Sequence, residues 1–372
     1  MSGDRLSRIW AHPEQMPTYS LAEWEVVLGQ ALHARLLARL AQHFNDRNWL
    51  SEVPLQPRQY LEGALRLADR QYREVQWEVD CIRRAVMAVD TPVVLLKGAA
   101  YVIAGLPTGS GRLFSDIDIL VRREVLNEVE DALFRRGWIS EEHDAYNNRY
   151  YRQWMHEIPP MTHVQRNTVI DVHHTITPPT SRFKVQAARL FDRIVPVDDT
   201  HTVFVLSPTD MVLHSAVHLF QEGEFSHGLR DLLDLNDLLV HFGRDPGFWN
   251  ALFARAEELG LGEPLFHALH HTRRLFGTDA PQEFSHQLRH LQPGWMARRI
   301  MSALLNVALQ PHHPSCDGPF RDLALWLLYV RSHYLRMPWY LVIPHLTRKA
   351  FMRRFPEKKA KSATQALNQT QG

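Results

Sequence analysis

Hydrophobic residues change their spacing twice along this chain, and the two changes divide it into three parts. From Ser20 to about residue 44 they recur every three or four positions, as one buried face of an α-helix requires. The run opens on Ser20-Leu-Ala-Glu23, a capping box in which the Ser20 hydroxyl and the Glu23 carboxylate satisfy the first free amides of a helix. The same spacing returns over residues 57–88 and predicts a second helix with its polar residues gathered on one face.

Beyond Thr91 the period shortens. Val93-Val-Leu-Leu96 is too short for a helix and reads as a buried strand ending at Lys97-Gly98. A short helix, Ala-Ala-Tyr-Val-Ile-Ala-Gly, and a loop rich in Gly, Pro and Ser follow. Ser115-Asp-Ile-Asp-Ile-Leu-Val121 then alternates as a strand does. Residues 124–136 read as a helix closed by Gly137, and 161–165 with 169–175 as two strands in a hairpin. Strands mixed with helices argue for an α/β or α+β core over about residues 85–200. Past Leu206 strand spacing disappears. Ser207-Pro-Thr-Asp210 starts a helix with proline in its first turn, and further helices are expected over 228–242, 246–259, 263–276 and 294–310. The expected organisation is α+β: a helical segment over 1–89, a small mixed sheet with helices over 90–205, a helical domain over 206–355, and a disordered tail over 356–372.

Composition narrows the classes. The 372 residues carry 42 Lys and Arg against 41 Asp and Glu, so a net charge of +1 argues against a nucleic-acid partner. A 45% hydrophobic and 22% charged chain is neither disordered nor fibrous. Cys81 and Cys316 build no disulfide framework or thiolate metal site, which points to a reducing, cytoplasmic setting. No apolar run is long enough to cross a membrane, and the polar, proline-broken start lacks a signal peptide's apolar region.

The chemistry concentrates on one strand. Side chains two apart on a strand share a face, so Asp116 and Asp118 project together while Ile117, Ile119 and Val121 face a core. Adjacent carboxylates repel unless a cation lies between them, and hard oxygen ligands suit Mg²⁺ with substrate phosphates. An edge strand with its polar face in water is the competing reading of Asp-Ile-Asp. Gly98 opens a helix whose free amides can hold phosphate oxygens, and Lys97 and Arg112 can neutralise a triphosphate. In Val169-Ile-Asp-Val-His173 the alternation puts Asp171 and His173 on one face.

This assembled pattern resembles the DNA polymerase beta type nucleotidyltransferase superfamily. More closely it resembles the bacterial family called "uncharacterised nucleotidyltransferase". The resemblance rests on Leu96-Lys97-Gly98, Arg112, Asp116-Ile117-Asp118 and Asp171-Val172-His173. It continues through His214 and His218 to Leu229-Arg230-Asp231-Leu232-Leu233-Asp234, and covers roughly residues 30–290. It implies transfer of a nucleoside monophosphate from an NTP to a hydroxyl of a small molecule or protein. Asp116 and Asp118 would hold two Mg²⁺ ions, with Asp171 on the acceptor side as third ligand or proton acceptor. Lys97, Gly98, Arg112 and Ser115 would seat the nucleotide. The chain departs from the superfamily at Ala99, where a Ser or Gly is usual, and in the long loop that separates Gly98 from Asp116. These departures keep open a catalytically silent nucleotide-binding or scaffold protein of the same fold.

Other candidates are weaker. His173 would orient Asp171 or meet the acceptor, against a structural hydrogen-bonded role, and His174 faces away as a structural residue. His214 and His218 have helical zinc spacing without a nearby Glu or Cys to complete a set, and lining the cleft is their alternative role. Asp234 would reach nucleotide or acceptor if its helix closes over the site, against a solvated helix face. Residues 331–361 hold nine Lys or Arg and one acid, Glu357, with aromatic residues among and before them. An anionic membrane or a nucleic-acid contact competes there with a solvated helix whose aromatics pack on the body. The last is slightly favoured, because Pro338 and Pro344 interrupt any long helix. Any membrane contact would be peripheral, at the inner membrane.

Overall fold

The computed structural model describes residues 3–140, 151–152, 154–197, 202–338 and 340. The tail expected over 356–372, and the basic segment beyond 340 together with Trp339, lie outside the described residues. The fold is α+β, with fourteen α-helices and a seven-stranded mixed sheet among the described residues.

The N-terminal part is more broken than its spacing predicts. A short helix, α1 (Arg5–Ala11), precedes α2 (Leu21–His33) and α3 (Leu37–Asn45). The capping box forms at α2 as expected, Ser20 Oγ accepting from Glu23 N and Glu23 Oε2 from Ser20 N. The single run expected up to residue 44 becomes two helices because Arg35 takes a left-handed backbone (φ 55°) and turns the chain back. That turn lets Trp24, Val27, Leu36, Leu40 and Phe44 share one cluster. Gln30, buried at the centre, accepts from Arg5 N and Leu6 N and donates to Gly3 O and Ser315 Oγ, which ties the start of the chain to its distant helical end. The long α4 (Leu55–Val86) then carries Val75, Val79, Ile82 and Val86 into the core beside the sheet.

The strands are β1 (Val93–Leu95), β2 (Asp116–Leu120), β3 (Trp138–Ser140), β4 (Met161–His163), β5 (Val169–His173), β6 (Val195–Pro196) and β7 (Val203–Val205). Their spatial order is β3-β4-β5-β2-β1-β7-β6. The centre is decisive: β2 lies parallel to β5 with Asp118 opposite Asp171, and antiparallel to β1. β4 and β5 pair antiparallel, as a hairpin requires. Two short helices join these strands, α5 (Lys97–Ile103) after β1 and α6 (Leu126–Arg135) before β3, and α7 (Ala187–Phe191) precedes β6. Gly137 closes α6 with a positive φ of 96°, a conformation a side chain would disfavour.

The second half is helical, with α8 (Pro208–Glu222), α9 (Gly228–Phe242), α10 (Phe248–Glu258), α11 (Gly262–Phe276), α12 (Ser285–His290), α13 (Trp295–Ala308) and α14 (Arg321–Arg336). Ser207 caps α8 through Asp210 N, with Pro208 in the first turn. One apolar core runs from α4 through the sheet into these helices, so the helical part seats directly on the strands.

A buried ion pair locks α8 to α10. Arg255 donates through Nε and an Nη to the two Asp210 oxygens at 2.7 and 2.9 Å, with both side chains essentially without solvent access. Removing one partner of such a pair strands the other charge, at a cost of about 3–5 kcal/mol. Arg255→Met is therefore expected to lower unfolding free energy by that amount in urea titrations. The Asp210→Asn/Arg255→Met double variant should recover part of the loss.

Candidate active site

At the end of β1 the chain must turn sharply to enter α5, and Lys97 makes the turn with a left-handed backbone (φ 47°). For a residue with a Cβ this conformation costs about 1–2 kcal/mol. The turn carries the Lys97 ammonium to Asp118, Nζ to Oδ1 2.9 Å, while Leu96 N donates to the Asp118 carbonyl. His173, across on β5, donates through Nε2 to the same Asp118 oxygen, also at 2.9 Å.

Asp118 is 5% exposed. Burial is the largest single influence on it and acts to raise its pKa, yet Lys97 and His173 together hold it well below the ordinary carboxyl range. His173 is the counterpart. Burial opposes its charge most strongly, but Asp118 on Nε2 and Glu157 near Nδ1, at 3.5 Å, raise its pKa. The result is a row of alternating charge: Lys97, Asp118, His173, Glu157.

Asp171 occupies the opposite electrostatic position although it faces Asp118 in register. Burial, then Asp118 and Glu157, push its carboxyl up to about 7. Its Oδ1 is buried without a hydrogen-bond partner. Asp116, at the start of β2, also bears on Asp171 and accepts from Ser115 Oγ at 3.0 Å. Ser115 and Asp116 line a groove of about 210 Å³ against α4, with Gln71, Glu78, Phe114 and Asn167 on its walls. The carboxylate row thus runs from this groove inward to Asp118.

His214, on α8, comes to the inner end. Burial first, then the positive charges of Lys97, His218 and His173, hold its pKa well below the usual imidazole value. It presents a neutral ring to a site that already contains two cationic groups. His218 lies one turn on, its ring 6.5 Å from that of His214, on the side of Asp231. Among the described residues no third metal-capable group joins these two histidines, and the group that does converge is His156, Glu157 and His173, with ligand atoms within 4.8 Å of one another. His174 points away as expected, with Nε2 3.2 Å from the Met155 carbonyl oxygen.

Arg112 and Asp234 form a separate cluster. Arg112 Nε donates to Asp234 Oδ2 at 2.8 Å, and Arg39 Nη1 reaches Asp234 Oδ1 at 3.2 Å; all three side chains are buried. A second Arg39 nitrogen binds Asp237. Arg112 lies between the rings of Tyr101 and Phe114. Gly98 sits beneath it: a Cβ there would overlap the guanidinium and approach the Phe114 ring to 2.8 Å. The glycine is thus required by packing under Arg112. Three groups lay outside the sequence reading, Glu157, His156 and Arg39. The signal for the first two was a His-Glu pair just before Ile158-Pro-Pro, between the helix closed by Gly137 and the strand expected from 161.

A family model described as uncharacterised nucleotidyltransferase matches residues 20–277, well over half of the chain. The chain belongs to that family. No curated protein matches it. The matched span begins at the α2 cap and ends with α11, so it holds the whole sheet and both charged clusters.

The raised Asp171 pKa has a signed consequence. The folded chain keeps a proton that the unfolded carboxyl, with its ordinary value of 3.8, has released, so this contribution to stability is full below about pH 4 and is lost as pH rises through about 7. Asp171→Asn carries no such proton. The variant is expected to gain on the unsubstituted chain in melting temperature between about pH 4 and 7, each pKa unit being worth about 1.4 kcal/mol. Parallel melting curves across that range would sink the assignment.

Proposed function

We propose that this protein moves a nucleoside monophosphate from an NTP to a hydroxyl of a small molecule or protein, with Mg²⁺ as cofactor. The observation that carries the reading is the convergence of three carboxylates, Asp116 and Asp118 on β2 and Asp171 on the parallel neighbour β5.

The residues suit a divalent cation. Asp171 keeps a buried oxygen without a partner, and its neighbours Asp118, Glu157 and Asp116 all raise its pKa, as uncompensated negative charge does. Hard carboxylate oxygens are the donors Mg²⁺ prefers. Asp116 and Asp118 would hold two ions, with Asp171 on the acceptor side. Bound there, Mg²⁺ supplies charge neutralisation of the triphosphate and lowers the pKa of the acceptor hydroxyl.

The chain's own groups then divide the work. Lys97 and His173 keep Asp118 ionised. Lys97, at the start of α5, also lies where a phosphate oxygen would compete for its ammonium, with Ser115 beside the same strand. Asp171, titrating near neutrality, takes the proton of the acceptor hydroxyl as that oxygen bonds to the α-phosphorus and pyrophosphate leaves with the bridging oxygen. His214, neutral and buried, walls the inner end against water. Arg112 and Asp234 position this region rather than meet the nucleotide, since each is the other's ion partner.

A second reading, a nucleotide-binding or scaffold protein without turnover, is favoured by two observations. Asp118 is already neutralised by Lys97 and His173, and Ala99 offers no hydroxyl to a phosphate.

Mg²⁺ with an NTP is expected to raise the melting temperature, because a ligand of the folded state stabilises it by mass action. Asp116→Asn/Asp118→Asn should abolish the metal-dependent part. A screen with labelled NTPs, Mg²⁺ and hydroxyl-bearing acceptors decides between the readings. Asp171→Asn should keep NTP binding and lose turnover by at least ~10²-fold. Binding without any transfer by the unsubstituted chain would favour the scaffold.

A further inference from the structure

Just before β4 the chain runs antiparallel to the end of β5. Ile158 N donates to the Val172 carbonyl and His174 N to the His156 carbonyl, and Glu157 stands opposite His173. The backbone thus gathers His156, Glu157 and His173 at the Nδ1 end of the His173 ring. Their ligand atoms lie within 4.8 Å of one another, and the two imidazole rings are 5.2 Å apart. His173 is 2% exposed and His156 7%.

These groups converge without bonding to one another. His173 Nδ1 stands 3.5 Å from Glu157 Oε2, and His156 Nε2 4.0 Å from the same oxygen, each longer than a normal hydrogen bond. His173 Nδ1 is buried without a hydrogen-bond partner, an arrangement that costs free energy. Nitrogen and oxygen donors 2.0–2.1 Å from a tetrahedral ion stand about 3.4 Å from each other. The observed spacings need only small closing movements to reach that value.

The rest of His173 is already arranged as in a metal ligand. Its Nε2 donates to Asp118 at 2.9 Å, and metal-bound imidazoles characteristically give their second N–H to a carboxylate, which fixes the tautomer and the ring. An ion on Nδ1 replaces any proton there, so Asp118 keeps a positive neighbour. Two imidazoles with one carboxylate are rich in nitrogen for Mg²⁺, which takes oxygen ligands, and suit Zn²⁺ and its transition-metal neighbours.

We propose that His156, Glu157 and His173 hold a divalent transition-metal ion of the zinc class, at a site separate from the carboxylate row. The ion pins residues 156–158 to β5 and sets the His173 ring against Asp118, a positioning role rather than a catalytic one. The site stands whether or not the chain transfers nucleotides.

Equilibrium dialysis of the full chain against Zn²⁺, without nucleotide, tests it. Asp116→Asn/Asp171→Asn removes the acids of the row that do not touch His173, and this variant should keep one Zn²⁺ per chain in the presence of excess Mg²⁺. His156→Gln/Glu157→Gln should weaken Zn²⁺ binding by more than about 100-fold, beyond the 10–100-fold that loss of an outer partner costs. X-ray absorption of the unsubstituted chain with one equivalent of Zn²⁺ reads the donors without any substitution, and two imidazoles are expected. Absence of Zn²⁺ binding, a shell of oxygen donors alone, or unchanged affinity in the His156/Glu157 variant overturns the proposal. So does loss of the ion in the folded Asp116/Asp171 variant, since the row would then own it.

Discussion

A carboxylate removed from water and held ionised between two cationic groups is the constraint around which this molecule is arranged. Asp118 would be protonated or expelled in an apolar sheet without Lys97 and His173 at one of its oxygens. Meeting that need forces Lys97 into a left-handed turn, because a relaxed exit from β1 would aim the ammonium elsewhere. It also makes the β2–β5 register matter. A slip of one residue would turn His173 to the opposite face and leave Asp118 with Lys97 alone. His214 is held neutral first by its burial, and the positive charges of Lys97, His218 and His173 add to that.

A second buried charge joins the three parts of the chain. Asp234 belongs to the helical half, Arg112 to the loop before β2, and Arg39 to the N-terminal helices, and the three meet with Asp237 as the second acid that balances the two arginines. Such a cluster contributes little net stability when complete, but each member is costly to lose, so it fixes relative placement. Gly98 records the tightness of that placement: the guanidinium passes where a methyl group would stand. Loop, α5 and helical half are therefore held as a unit next to the carboxylate row.

What local pattern encodes was legible in the sequence. The Ser20-Glu23 box and the Ser207-Pro208 start announce their helices because capping is satisfied within a few residues. The Asp116-Asp118 and Asp171-His173 faces come from strand alternation alone. What depends on partners far along the chain was not legible. Arg35 is a good helix former placed in a turn by the packing of α2 against α3. Arg112 and Asp234, 122 residues apart, each read as a group available to a ligand, and only the fold makes them partners. Glu157 reaches His173 through an isolated bridge outside any regular strand, where no periodicity exists to reveal it. Strands of two or three residues, such as β3, β6 and β7, are too short to carry an alternation.

The deepest consequence of the arrangement lies in the pair Asp118 and Asp171. They are the same residue type at the same register position on adjacent strands, yet one is held below the ordinary carboxyl range and the other is raised to about 7. Distance from solvent cannot explain this, because Asp118 is the more buried of the two. The cause is the distribution of cations. Lys97 approaches from β1, on the far side of β2 from Asp171, so its charge serves Asp118 first. His173 gives its Nε2 to Asp118 and turns Nδ1 towards Glu157. Asp171 thus keeps the cost of its burial first and, on top of it, the repulsion of carboxylates that others have stabilised. Two acids whose surroundings separate their pKa values in this way are suited to different tasks, one as a permanent anion and one as a group that exchanges a proton near neutrality. Strand order, rather than the acids themselves, assigns those tasks: placing β1 beside β5 instead of beside β2 would keep every residue and take Lys97 away from Asp118.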